Sequence, residues 1–132
     1  MRAKRRYIAL SSLLAAAVII VSYRSSNYAR VRLSSGKQFD VIALSVDTRP
    51  NSASSGVARV VVLNYYAKAG SPRERVDEAD EMVQVAQRAA DSLAVSRIEI
   101  QQTYPLGPRW TGMVRGFVWQ YYRAPDGTWR RR

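Results

Sequence analysis

The run of 17 uncharged residues at positions 7–23 constrains this chain more than any other feature of its sequence. Between Ile8 and Val21 the only polar members are Ser11 and Ser12, and four basic residues directly precede the run. As a helix it would rise about 25 Å, close to the ~30 Å hydrocarbon thickness of a bilayer. A helix without a polar face does not fit the surface of a soluble domain, so we predict membrane targeting.

The same run could be an uncleaved signal-anchor or a cleaved signal peptide. Tyr7 and Tyr23 bracket it where interfacial aromatic residues lie, and the denser basic cluster on its N-terminal side predicts a cytoplasmic N-terminus. Cleavage after Ser22 would place Ile20 at the −3 position, and cleavage after Ala29 would place Asn27 there; a peptidase prefers small residues. The sequence therefore favours an anchor over residues 1–24, with cleavage as the alternative.

The chain contains neither cysteine nor histidine. Disulfides, thiolate nucleophiles, Ser-His-Asp catalysis and histidine-ligated metals are therefore excluded. Asp40 and Asp47 are seven residues apart, so on a regular strand they would face opposite sides and would not form a catalytic pair. We expect a non-catalytic protein with no cofactor and no metal site.

The remaining chain predicts a linker over residues 25–37 and one small domain over residues 38–132. Runs rich in β-branched and aromatic residues predict strands, and one long segment predicts a helix. The predicted order is β-β-α-β-β-β, an α+β domain in which a mostly antiparallel sheet carries one long helix on a face. The strands are predicted at 38–47, 57–68, 96–104, 113–123 and 128–132, and the helix follows Ser71.

The helix signal is the strongest local pattern of the domain. Ser71 is a suitable N-cap, Pro72 fits the first helical position, and Glu74 completes a capping box. Small and apolar residues then recur at intervals of three and four, which predicts one face packed closely on a sheet. These residues are Val76, Ala79, Val83, Ala86, Ala90 and Leu93.

The C-terminal strands combine aromatic and basic residues around a turn at residues 124–127. From Arg24 onward the net charge is +7, which would attract anionic surfaces. Aromatic and arginine side chains are enriched at protein interfaces, so this hairpin is a candidate for partner binding, and core packing is the alternative. The candidate residues are Arg115, Trp119, Tyr121, Arg123, Trp129, Arg130, Arg131 and Arg132.

Residues 115–122, RGFVWQYY, resemble part of the RNA-recognition motif signature through Arg115, Gly116 and Phe117. Val118 and Gln120 depart from that signature, and the chain has one long helical pattern instead of two. We therefore do not expect a nucleic-acid partner.

Together these features predict a single-pass membrane protein. Its N-terminus would be cytoplasmic, and its domain would lie outside the cytoplasm and assemble with other envelope components. The alternative is a secreted or periplasmic module, released by cleavage, that binds an anionic ligand.

Overall fold

The computed structural model describes residues 19–20, 29–51 and 56–132. The described residues form seven strands, one α-helix and one short 3₁₀ turn. The strands are β1 (Ile19–Ile20), β2 (Ala29–Arg32), β3 (Gln38–Pro50), β4 (Val57–Tyr66), β5 (Arg97–Pro105), β6 (Val114–Arg123) and β7 (Trp129–Arg131); the helix is α1 (Pro72–Ser92), and the 3₁₀ turn is Arg109–Thr111.

The strands form one sheet in the sequential order β1-β2-β3-β4-β5-β6-β7. All neighbouring pairs are antiparallel except β4 and β5, which are parallel. A parallel pair needs a crossover connection, and α1 provides it between β4 and β5. The domain from residue 38 onward therefore follows the predicted β-β-α-β-β-β order, and the α+β prediction is confirmed at that level.

Helix α1 begins as its sequence predicts. The Ser71 side chain accepts a hydrogen bond from the Glu74 amide at 3.2 Å, and Pro72 is the first helical residue. The Glu74 carboxylate bonds to the Gly70 amide at 3.4 Å, one residue before the position that a capping box would use. The cap thus satisfies amide groups at the start of the helix, which have no partner within it.

The core lies between α1 and one face of the sheet. Ala79, Ala86 and Ala90 are fully buried, which allows the helix backbone to approach the sheet closely. The large buried side chains opposite them come from the central strands and include Leu63 and Ile100. The predicted stripe is confirmed at these three alanines. The helix also buries Met82, Val85 and Ala89.

The other face of the sheet carries no helix among the described residues. Val60 and Val62 of β4 are nevertheless buried on that face, with relative exposures of 2% and 6%. On that face Val60 lines a small cavity together with Arg97 of β5 and Gln120 of β6.

Two features of the N-terminal part differ from the sequence-based expectation. The predicted linker over residues 25–37 contains strand β2, because Ala29 and Val31 alternate onto the buried face. Ile19–Ile20, within the predicted anchor helix, form a two-residue strand opposite Val31 and Arg30.

The rest of the predicted anchor lies outside the described residues, so the anchor remains a prediction. Among the residues that the structure describes, no helix is long and apolar enough to cross a membrane.

Candidate interaction surface

Strand β6 has two chemically different faces. Phe117, Trp119 and Tyr121 lie opposite Gln102, Ile100 and Ile98 of β5 and share the face on which α1 packs. The residues between them point to the helix-free face, as the strand alternation predicts. Three of the aromatic residues of β6 therefore belong to the core side.

Trp119 is held by a buried polar network. Its Nε1 donates to Oε1 of Gln102 at 2.8 Å, and Nε2 of Gln102 donates to the Tyr65 hydroxyl at 2.9 Å and to the Arg75 carbonyl at 2.8 Å. The Tyr65 hydroxyl in turn donates to Glu78 at 2.8 Å. Both polar ends of Gln102 are satisfied, which fixes the orientation of the indole.

Tyr121 connects the core to the helix surface. The side chain is buried, and its hydroxyl donates to Asp80 at 2.7 Å. Arg131 also binds Asp80, with Nη1 2.8 Å and 2.9 Å from the two carboxylate oxygens. Burial and the neighbouring Asp80 raise the pKa of Tyr121 above its ordinary value. These contacts attach β6 and β7 to α1.

Arg123 and Trp129 form a second contact at the same end of the sheet. The Arg123 guanidinium lies 4.9 Å from the Trp129 ring centroid and pairs with Asp91. The indole Nε1 of Trp129 is buried and has no hydrogen-bond partner among the described residues. Both side chains therefore support the packing of the hairpin.

The other candidate arginines are dispersed. Arg130 pairs with Asp126 at 3.2 Å, and Arg132 is exposed. Both point to the helix-free face, because Arg131 between them points toward α1. Arg115 lies at the far end of β6, 4.9 Å from the Phe117 ring centroid. The eight candidate residues thus form no single surface.

Exposed apolar side chains lie instead on the helix-free face of β6. Val114, Val118 and Tyr122 are 53%, 56% and 42% exposed and occupy every fourth position of the strand. We call these three residues the β6 stripe. Gly116, between the two valines, leaves a gap without a side chain. Val118 and Tyr122 were not among the candidate residues predicted from the sequence.

Three further exposed apolar side chains lie in the loop between β5 and β6. Leu106, Trp110 and Met113 are 49%, 86% and 60% exposed, and we call them the apolar tip. The Leu106 amide donates to the Met113 carbonyl at 2.8 Å, which closes the loop. Gly112 has φ of +70°, a conformation that glycine adopts without strain. The sequence showed a loop here, but a loop pattern does not indicate how far its apolar side chains protrude.

The first half of β6 also has an unpaired edge among the described residues. Strand β7 pairs only with Tyr121, Tyr122 and Arg123, and the Arg132 amide adds a bond of 2.9 Å to the Gln120 carbonyl. Backbone groups alternate sides along a strand, so those of Val114, Gly116 and Val118 point to the same edge as Gln120. The described chain gives these three residues no strand partner.

The β6 stripe, the apolar tip and the unpaired edge of β6 are suited to contact with another molecule. Exposed apolar side chains and free strand edges both favour association.

Within the described ranges, no group of three or more acidic side chains is arranged to hold a metal ion. No protein-family model, curated protein or solved structure shows significant similarity to the chain.

Proposed function

We propose that this chain is a non-catalytic, single-pass membrane protein. In this proposal its domain lies outside the cytoplasm and assembles with other envelope components through the β6 stripe and the apolar tip. The observation that carries the proposal is the exposure of six large apolar side chains on β6 and on the loop that precedes it. Exposed apolar patches on soluble domains mark interaction sites.

The chemistry of the interior supports a non-catalytic role. Its buried polar groups, Glu78 and Gln102 among them, bond to one another and to the backbone between α1 and the sheet. Such groups stabilise the packing of the domain. The exposed surface offers apolar contacts and arginines, which suit binding.

Anchoring requires Ile19 and Ile20 to leave their short pairing with β2. That pairing involves two residue pairs, worth about 1–3 kcal/mol at the usual net value of a hydrogen bond. The eight Leu, Ile and Val residues of the run favour insertion by about 2–5 kcal/mol on biological insertion scales.

An anchored domain would stay close to the bilayer. Five residues separate Tyr23 from Ala29, so the six Cα-to-Cα steps between these two residues reach at most about 20 Å. The domain would then lie where it can meet other membrane-bound components.

Intact mass measurement on separated membrane and soluble fractions tests the anchor. We expect the full-length mass in a fraction that only detergent releases, and a Leu13→Arg, Leu14→Arg variant should lose this behaviour because charges in the run oppose insertion. A mass lacking the first 22 to 29 residues, recovered in the soluble extracytoplasmic fraction, would contradict anchoring. It would favour the released module that binds an anionic ligand.

Site-specific photo-cross-linking tests the surface. A photoreactive residue at position 110 should give adducts with envelope proteins, identified by mass spectrometry. The same residue at Asp77, which is exposed on α1, should give none of these adducts. Equal adducts at both positions would contradict a specific role of the apolar tip.

A further inference from the structure

We propose that the free edge of β6 pairs with β6 of a second copy of this chain, antiparallel and centred on Gly116. This inference rests on the proposed assembly function and names one partner of that surface. It follows from three observations: the backbone groups that have no strand partner among the described residues, the distribution of side chains around Gly116, and the missing side chain at the centre.

The backbone groups match those of a symmetric strand pair. Val114, Gly116 and Val118 point their amides and carbonyls to the free edge. In an antiparallel pair centred on Gly116, each glycine faces the glycine of the other copy, and each Val114 faces Val118 of the other copy. All three are hydrogen-bonded pairs, so every one of these exposed backbone groups finds a partner. A two-fold interface of this kind closes with two copies.

The side chains are self-complementary in this register. On the helix-free face, the half-exposed Val114 and Val118 side chains would meet each other across the interface. On the helix face, Arg115 would lie opposite Phe117 of the second copy. Arg115 already stacks on its own Phe117, so the same cation–π contact can form between copies.

Gly116 has no structural requirement within one copy. Its φ is not positive, and a Cβ built on it would only meet the Gln102 carbonyl oxygen at 3.6 Å, an ordinary contact. Glycine weakens a strand interior and commonly marks a place where another backbone approaches closely. Here the place is the centre of the proposed interface.

Electrostatics distinguish this partner from an anionic one. Arg115, Arg130 and Arg132 of the two copies would repel each other, and salt screens such repulsion between exposed charges. The copies should therefore associate more strongly as salt rises. Binding to an acidic peptide or an anionic lipid would weaken under the same change.

Cysteine cross-linking of the full-length protein in detergent tests the register, because the natural chain has no cysteine. Protein carrying Val114→Cys, mixed with protein carrying Val118→Cys, should give a disulfide-linked dimer at least about tenfold above either protein alone, since only facing residues come within disulfide distance. Gly116→Cys should cross-link by itself. Asp77→Cys, on the exposed surface of α1, is the matched control and should not cross-link.

A second variant tests the interface without cysteines. Gly116→Lys places two ammonium groups at the two-fold axis, so it should reduce dimerisation by about tenfold or more, while the uncharged Gly116→Ala should reduce it less. Circular dichroism of both variants should match the natural protein, because position 116 is exposed. The proposal is overturned if Val114→Cys alone cross-links as well as the mixture, if Gly116→Lys dimerises normally, or if salt dissociates the dimer. Those results would leave anchoring and the adducts at position 110 unaffected.

Discussion

The Tyr65 hydroxyl donates a hydrogen bond of 2.8 Å to Oε1 of Glu78, and both side chains are buried between α1 and the sheet. The Glu78 carboxylate also accepts from the Ala69 amide at 2.9 Å. A buried carboxylate needs several donors to offset its loss of hydration. This contact therefore connects the centre of the sheet, the helix and the loop that precedes the helix.

Tyr65→Phe removes one donor from Glu78 and one acceptor from Gln102. We expect the free energy of unfolding to fall by about 1–3 kcal/mol, because both partners stay buried. Urea unfolding of the full-length protein in detergent measures this change. Glu81→Gln is the control: its pair with Lys37 is more exposed and should contribute no more than about 1 kcal/mol. Equal losses in the two variants would contradict the buried network.

Alkaline pH should destabilise the protein. Burial, together with the negative charge of Glu78, raises the pKa of Tyr65 above its ordinary value of 10.0. Burial and Asp80 act on Tyr121 in the same direction. The unfolded chain then loses these protons at a lower pH than the folded chain. The contribution of these tyrosines to the free energy of unfolding is fully present below pH 10. Above pH 10 it falls by at most about 1.4 kcal/mol per pH unit for each tyrosine.

Urea unfolding at several pH values between 8 and about 12 measures this dependence. Tyr65→Phe should give a shallower decline above pH 10 because the Tyr65 hydroxyl no longer contributes. An unchanged slope in that variant would show that Tyr65 does not carry the effect.

Enlarging the small residues of α1 should separate the helix from the sheet. Ala86 is fully buried, so we expect Ala86→Leu to cost about 1–3 kcal/mol through overpacking. Gln84→Leu adds a similar side chain at an exposed position and should change stability by no more than about 0.5 kcal/mol. Thermal unfolding compares the two, and a neutral Ala86→Leu would contradict close packing of the helix.

Trp110 and Trp119 should respond differently to substitution. Trp110 is 86% exposed, so Trp110→Ala should leave stability within about 0.5 kcal/mol of the natural protein while reducing association with partners. Trp119→Ala removes a half-buried indole bonded to Gln102 and should cost about 3–5 kcal/mol. Urea unfolding and sedimentation of the same samples distinguish folding from binding. Destabilisation by Trp110→Ala would assign the tip a role in folding.

The local patterns of the sequence predicted most elements of the domain. Ser71, Pro72 and Glu74 specify the start of α1 through short-range hydrogen bonds and backbone geometry, which do not depend on the rest of the fold. The pattern along residues 113–123 predicted strand β6 to within one residue of its observed start. Strand β2 was missed because four residues beside serine and arginine carry too weak a pattern, and pairing with β3 decides their conformation.

The candidate site was less predictable for the same reason. Tyr121 and Trp119 have side chains that suit either an interface or a core. Only their hydrogen bonds to Asp80 and Gln102 in the folded protein assign them to packing. The exposure of the apolar tip depends on where a loop projects beyond the sheet. Residue composition carries no such information.

By itself, the sequence determined the absence of thiol and imidazole chemistry, the apolar run that predicts an anchor, and the capped helix between strand patterns. These properties reside in residue types and near neighbours along the chain. Tertiary structure alone decided which face of the sheet α1 covers, and that β7 pairs with only the last part of β6. Such properties arise from contacts between residues distant in sequence, where burial and strand pairing select among conformations that local patterns leave equally available.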